Sequence, residues 1–551
     1  MNDTRKVIII GGVAAGASCA ARLRRLDERA QITVYERGPY VSFANCGLPY
    51  YIGDVIQEEE DLLVASPELF LKQFNIDARV LHEVTRIDAE RREVIVRDLA
   101  QGRIHRDWYD ALVLAPGAAP VRPDWPGLDL PGVFTLRTIP DSRAIRRWID
   151  ENKPRRAIVI GGSYIGLEMA ENLTRRGIAV TVVEALPQVM AALDPEMAEP
   201  VVRHLEMNRI DLQLGDAVTS LEQGASGAGR VARTQGGMRL EAEMVVVALG
   251  VRPEAALARD AGLEIGELGG VRVNEQMRTS DAHIWAVGDA VEVRNIVTGR
   301  WCLMPLAGPA NRQGRLAADA ICGREVRFAG VQGTSVCGVF GLTVAATGAS
   351  EKVLRRDGAS DYAAVYLHPY HHATYYPGAK RLHLKLIFSR KDGRILGAQA
   401  VGEVGVEKRI DVIAMAIQKG GTVFDLEQSE LCYAPQYGAA KDPINMAGML
   451  AANVLRGDMP LADWSLLEET QAMIIDVRDP DEFAAGHIDG AVNVPLTELR
   501  NRLEELPRER EIWVHCAVGQ RAYYAARVLL QRGFRVRNLS GGYLTYWGFN
   551  P

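Results

Sequence analysis

The stretch Val7-Ile-Ile-Ile-Gly-Gly-Val-Ala-Ala-Gly16 reads as a buried strand turning into a helix whose first residues are all small. Small residues let a phosphate reach the backbone, and the free N–H groups and dipole of a helix start favour a pyrophosphate there. Val13 stands where G-x-G-x-x-G has its middle glycine, so the turn alone is also compatible with a plain structural βαβ unit. Glu36 favours the dinucleotide: it follows the next strand, 20 residues beyond Gly16, where an acid can hold ribose hydroxyls. The layout then recurs. Ala157-Ile-Val-Ile-Gly-Gly-Ser-Tyr-Ile-Gly166 leads to Thr181-Val-Val-Glu184, with the acid 18 residues past the last glycine. Two copies with their acids in register predict an α/β protein that holds two dinucleotides in two modules.

A chain of 551 residues is too long for one core and suggests three to four units of roughly 100–200 residues. Apolar content of 48%, charged content of 24% and 53 glycines describe a soluble α/β protein. The net charge of −6 gives no sign of nucleic-acid binding. No run of about 20 apolar residues spans a bilayer, and residues 1–6 run straight into a strand, so no membrane association and a cytoplasmic location are expected. The seven cysteines are scattered and none forms C-x-x-C, which predicts neither a disulfide framework nor a zinc site. Thiols are left free for chemistry.

Cys46 lies in Val41-Ser-Phe-Ala-Asn-Cys-Gly-Leu-Pro-Tyr50, about thirty residues after the first glycine turn. With no second cysteine at close spacing, a redox role would run through a mixed disulfide, a persulfide or a sulfenate. A buried, inert cysteine is the competing reading of the residue alone. Further on, 111–117 and 244–250 read as strand-to-glycine stretches crossing between the two modules, and Ile284-Trp-Ala-Val-Gly-Asp289 ends a strand in a Gly-Asp pair suited to a flavin's polyol chain. This arrangement resembles the pyridine nucleotide-disulfide oxidoreductases over roughly residues 1–450.

The resemblance implies two Rossmann-like modules, FAD at 1–115 with 250–325 and NAD(P)H at 116–249. FAD would be held by Gly11, Gly12, Ala14, Ala15, Gly16, Glu36, Arg37, Gly288 and Asp289. The nicotinamide dinucleotide would be held by Gly161, Gly162, Tyr164, Ile165, Gly166, Glu184 and Gly250. Glu184 without a neighbouring arginine in 185–188 argues for NADH, since an acid repels a 2′-phosphate. Residues 330–450, with alternating strands such as 382–388 and a helix over 405–418, match the family's α+β dimerisation domain, so a homodimer is implied. Three histidines crowd the loop 368–376, but no further ligand completes a metal set and a surface loop is expected.

After a linker at 451–464, residues 465–551 form a further α/β unit. Met473-Ile-Ile-Asp-Val-Arg478 and Ile512-Trp-Val-His-Cys516 are strands, and the second delivers Cys516 to the loop Cys516-Ala-Val-Gly-Gln-Arg521 at the start of a helix over 522–530. Inward N–H groups, Arg521 and the helix start would cradle an anionic sulfur. This unit resembles a rhodanese domain. Four residues separate Cys516 from Arg521, as in sulfurtransferases, whereas the related phosphatases have five.

The single Cys46 resembles that of the coenzyme A-disulfide reductase branch, because a C-x-x-x-x-C pair would need cysteine at Val41 or Tyr51. Coenzyme A contacts are implied for Ser18, Arg22 (glutamine in the family pattern), Arg25, Ser42, Asn45, Asn311 (histidine in the family) and Lys441. Tyr433, in Tyr433-Ala-Pro-Gln-Tyr-Gly-Ala-Ala-Lys441, and Tyr375 would donate to the departing sulfur across the dimer. The rival is an NADH oxidase or peroxidase with the last domain as a sensor or docking module; its histidine in the first glycine turn is absent from Val13-Ala14-Ala15. The expected activity is NADH-dependent reduction of coenzyme A disulfide, coenzyme A persulfide or polysulfide, with Cys516 relaying sulfane sulfur.

Overall fold

Apolar runs of four or five residues, buried on both faces, set the parallel sheets of this protein. The computed structural model describes residues 4–224 and 229–549. The chain divides into two compact units, Met1–Pro187 with Arg209–Val331, and Gln188–Asn208 with Gln332–Pro551.

The first unit contains the repeat. One five-stranded parallel sheet has the order Ile284–Ala286, Ala111–Leu114, Lys6–Ile10, Gln31–Tyr35, Asp77–Arg79. The second runs Val133–Phe134, Met244–Val247, Arg156–Ile160, Ala179–Glu184, Asp211–Leu214, again all parallel. In both, the strand before the glycine turn is central, so the turn opens at the carboxyl edge where dinucleotides bind. Each sheet is accompanied by a three-stranded antiparallel meander, His82–Asp88 to Ile104–Trp108 in one and Val218–Gln223 to Arg239–Ala242 in the other.

One expectation is corrected. The stretches 111–117 and 244–250 do not cross between modules; their strands Ala111–Leu114 and Met244–Val247 are interior members of the two sheets. The crossing is made by the segments after them, Ala118–Pro120 and Val251–Pro253, which pair antiparallel as a two-stranded ribbon. Gly117 and Gly250 both have positive φ, and that reversal separates each buried strand from its ribbon.

The second unit holds an antiparallel five-stranded sheet, Ser335–Val339, Leu342–Gly348, Ile395–Gly402, Leu382–Ser389, Tyr362–Leu367, covered by the helices Val406–Gln418 and Pro443–Leu455. Alternation in Leu382–Ser389 is broken by Lys385, which is fully buried. Its ammonium binds Asp194 at 2.7 Å, Glu351 at 2.6 Å and Glu196, and Gln399 also donates to Asp194. A buried charge survives because it is paired this way.

The same unit carries a four-stranded parallel sheet ordered Val492–Asn493, Met473–Asp476, Ile512–His515, Val536–Asn538. Its last helix, Gly542–Phe549, packs on the helix Pro195–Met207: a Cβ at Gly548 would lie 2.6 Å from the Glu196 carbonyl, and Arg203 donates to the Trp547 carbonyl. His368 bonds Thr545 of that helix and His383, and His371 and His372 bond backbone groups of Lys380 and Ala373.

Candidate functional sites

The two glycine turns are built alike to the atom. Gly11 has φ +94°, and a Cβ there would lie 2.1 Å from the Ala115 carbonyl; Gly161 has φ +112°, with Ala248 at 2.3 Å. Cβ atoms at Gly16 and Gly166 would each fall 1.9 Å from the carbonyls of Gly11 and Gly161. Glu36 accepts from the N–H groups of Gly12 (2.9 Å) and Gly38 (2.7 Å), and Glu184 from those of Gly162 (2.7 Å) and Leu186 (2.9 Å). The helices Ala14–Leu26 and Tyr164–Arg175 start directly after, with Ala14, Ala15, Tyr164 and Ile165 in their first turns. Bare backbone, a helix start and a fixed acid suit a pyrophosphate and a ribose, so both cradles fit the dinucleotides that the sequence predicts.

Gly288 and Asp289 form a short turn at the edge of the first sheet, with the Gly288 N–H held by Gln313 at 2.7 Å. Burial pushes the Asp289 carboxyl up and Arg137 pulls it back. Arg37 is spent on an ion pair with Glu254 at 2.6 Å. The guanidinium left near the acids of this site is Arg137, which donates to the Pro116 carbonyl and which sequence analysis missed. No periodicity or motif marks it.

Cys46 sits on the turn Asn45–Gly47 and is exposed. A Cβ at Gly47 would lie 2.6 Å from a Leu62 side-chain methyl, so any larger residue there requires that side chain to move. Ser42, at φ 48°, donates its N–H to the Gly12 carbonyl at 2.8 Å, which ties the cysteine stretch to the first cradle. The next helix, Leu48–Ile52, is fastened to Tyr164–Arg175: Tyr50 donates to Glu168 at 3.4 Å, Arg176 donates to the Ile52 carbonyl, and Gly53 abuts Asn172. Desolvation, then the charges of Glu168 and Asp289, push the Cys46 thiol up against the pull of a backbone hydrogen bond. Burial raises Glu168 to about 7. Glu168 was also missed, although it follows Gly166 at the offset by which the selected Ser18 follows Gly16.

Of the expected coenzyme A residues, Arg22 is engaged by Asp319 at 2.7 Å, so its charge serves the packing of Ala14–Leu26 against Ala307–Ile321. Ser18 and the exposed Arg25 lie on the first of these helices. Asn311 lies exposed on the second, bonded to the Ala307 carbonyl. Asn45 points at the Arg137 carbonyl, 3.4 Å away. In the second unit, Lys441 is exposed beside the buried Asp442, which Arg409 holds at 2.9 Å. Tyr375 and Tyr433 are exposed, with their hydroxyls 2.5 Å apart.

Cys516 is buried at the floor of its loop, where the Gly519 N–H donates to its sulfur at 3.2 Å. The helix begins at Gln520, two residues earlier than expected, so Arg521 belongs to its first turn. Arg521 lies near enough to Cys516 for their charges to act on each other, but its hydrogen bonds go elsewhere. Its guanidinium binds Glu482 at 2.6 and 2.7 Å, because Glu482 is fixed opposite it on the helix Pro480–Ala484. His515, just before Cys516, is fully buried, and burial pushes it down to about 4.

Comparison with known proteins follows the same division. Residues 5–314 match the pyridine nucleotide-disulphide oxidoreductase family, 334–442 its dimerisation domain and 464–548 the rhodanese-like domain. The chain is 33% identical over 451 residues to a coenzyme A disulfide reductase of Staphylococcus haemolyticus (strain JCSC1435), covering 82% of this chain and 100% of that one. Its structure resembles that of reduced Bacillus anthracis CoADR-RHD, with a TM-score of 0.97 and 47% identity over 99% of this chain and 98% of that one. It also resembles a NAD-dependent persulfide reductase from A. fulgidus, with a TM-score of 0.91 and 38% identity over 98% and 100% of the two chains. Among the described residues, no helix is long and apolar enough to cross a membrane.

Proposed function

The chain belongs to the pyridine nucleotide-disulphide oxidoreductases, in the coenzyme A disulfide reductase-like group with a C-terminal rhodanese domain, and from that premise we propose that it reduces sulfur-sulfur bonds through Cys46. The substrates are coenzyme A disulfide, coenzyme A persulfide or polysulfide, and NADH is the reductant. The observation that carries this reading is an exposed cysteine whose loop is tied by Ser42 to a dinucleotide cradle. FAD, when bound, would carry the electron pair of NADH to sulfur.

The chain's own residues do the rest. Residues 1–115 and 250–325 hold FAD through Glu36 and the first turn, 116–249 hold NADH through Glu184 and the second turn, and 330–450 pair two copies of the chain. The Cys46 thiolate attacks the substrate's S–S bond, keeping one half as a mixed disulfide with coenzyme A or as a persulfide while the other half leaves as a thiolate. Desolvation, and then negative charge on Glu168 and Asp289, disfavours the Cys46 thiolate. The Tyr375 and Tyr433 hydroxyls supply a proton to the leaving sulfur. Ser18, Arg25, Ser42, Asn45, Asn311 and Lys441 hold coenzyme A.

Beyond the linker at 451–464, Cys516 takes sulfane sulfur and passes it on. A rigid loop cannot carry sulfur far, so coenzyme A, a thiol on a long arm, serves as the carrier to Cys46. Parallel assays of NADH oxidation with coenzyme A disulfide, polysulfide, oxygen and peroxide test the reading. Turnover should be fastest with the sulfur substrates; faster turnover with oxygen or peroxide favours an oxidase or peroxidase.

A further inference from the structure

The rim of the Cys516 loop has the wrong charge for an inorganic sulfur anion. Arg521 Nη1 and Nη2 donate to the two carboxylate oxygens of Glu482, and Nη1 reaches Asp479 at 3.4 Å. Glu482 is not free to leave, because it also accepts the Asp479 N–H as part of the capping box of Pro480–Ala484. One guanidinium against two carboxylates leaves a net negative charge at the loop's edge.

The other basic groups nearby do not offset it. Arg478 is buried and spent on a bidentate bond to Asp476 and on the Gly486 carbonyl. His515 is neutral at physiological pH. What remains for an anion is the Gly519 N–H and the start of the twelve-residue helix Gln520–Gln531. These suit one terminal sulfur. They do not suit a second negative charge further out.

We propose that Glu482 determines donor specificity, so that Cys516 takes sulfane sulfur from thiol-bound persulfides and discriminates against the thiosulfate dianion. The proposal rests on the reading of Cys516 as a sulfur carrier. In the transfer, the Cys516 thiolate attacks the outer sulfur of R–S–SH. A bond forms between Cys516 Sγ and that sulfur, the donor S–S bond breaks, and its electron pair leaves with RS⁻, which takes a proton from water. No net oxidation occurs. With thiosulfate the leaving group is sulfite, a dianion expelled past Glu482 and Asp479, and repulsion opposes both binding and departure.

The test loads the reduced full-length protein with cysteine persulfide, a net monoanion, or with thiosulfate and follows persulfide on the Cys516 peptide by mass spectrometry. The wild type should load from cysteine persulfide on the order of tenfold faster or more, the ratio that about 1.4 kcal/mol gives. Glu482→Gln keeps an acceptor for Arg521 and should raise the thiosulfate rate by roughly tenfold while changing the persulfide rate little. Asp479→Asn, at the longer distance, should show a smaller gain in the same direction. If Glu482→Gln does not fold, the wild-type ratio and Asp479→Asn decide. Equal wild-type rates, or an unchanged ratio in both folded variants, overturn the proposal. Loading from neither donor overturns the sulfur-carrier reading itself, and the specificity falls with it.

Discussion

The hydroxyls of Tyr375 and Tyr433 meet at 2.5 Å across 58 residues of sequence, on an exposed face of the dimerisation domain. The hydrogen bond raises the Tyr375 hydroxyl, with desolvation and the neighbouring phenol adding to it, so Tyr375 stays protonated and able to donate. Tyr433→Phe and Tyr375→Phe should each lower kcat for coenzyme A disulfide by roughly 10²-fold. The double variant should be little worse than either single one, because the two act as a unit. Steady-state kinetics of all four forms check this, and additive losses would separate the two residues.

Cys46→Ser should retain bound FAD and its reduction by NADH while losing disulfide and polysulfide turnover. Glu168→Gln removes a negative neighbour of the thiol, so alkylation of Cys46 by iodoacetamide should set in at lower pH than in the wild type. Full disulfide turnover in Cys46→Ser would end the assignment of the nucleophile.

Glu184 accepts two backbone N–H groups and, in the proposed NADH site, would face the two further charges of a ribose 2′-phosphate. The expected result is a kcat/KM for NADH well above that for NADPH, with the gap narrowed in Glu184→Ala. Comparable values in the wild type would refute NADH preference, and Arg175 and Arg176 on the preceding helix would then be the residues to substitute.

Cys516→Ala should abolish sulfur transfer from donors that must first be activated and leave reduction of preformed coenzyme A disulfide intact. Equal loss of both activities would mean that the last domain is coupled structurally. Loss of neither would make it a passenger.

The Lys385 cluster predicts a stability profile. Burial raises Asp194, but the charge and hydrogen bond of Lys385 and two backbone donors outweigh it and hold the carboxyl below its ordinary value. Its contribution is therefore full above the unfolded value of 3.8 and lost as pH falls through the lower folded one. Lys385 is raised well above 10.5, so its contribution is present below that value and fades only in strong alkali. Lys385→Met should cost about 3–5 kcal/mol by leaving buried carboxylates unpaired, read as a lowered Tm at pH 7.

The sequence by itself determined what depends on local pattern. Two glycine turns and two acids at fixed spacing specify two parallel modules, because only bare backbone at Gly11 and Gly161 clears the neighbouring strand and only an acid at 36 or 184 meets the turn's N–H groups. The loop from Cys516 to Arg521 was legible for the same reason. The tertiary structure alone decided where long side chains spend their charge: Arg22 on Asp319, Arg37 on Glu254, Arg521 on Glu482 and Lys385 on three carboxylates. Those partners lie between 34 and 297 residues apart in separate elements, and a flexible cation goes to whichever carboxylate the packing brings within reach.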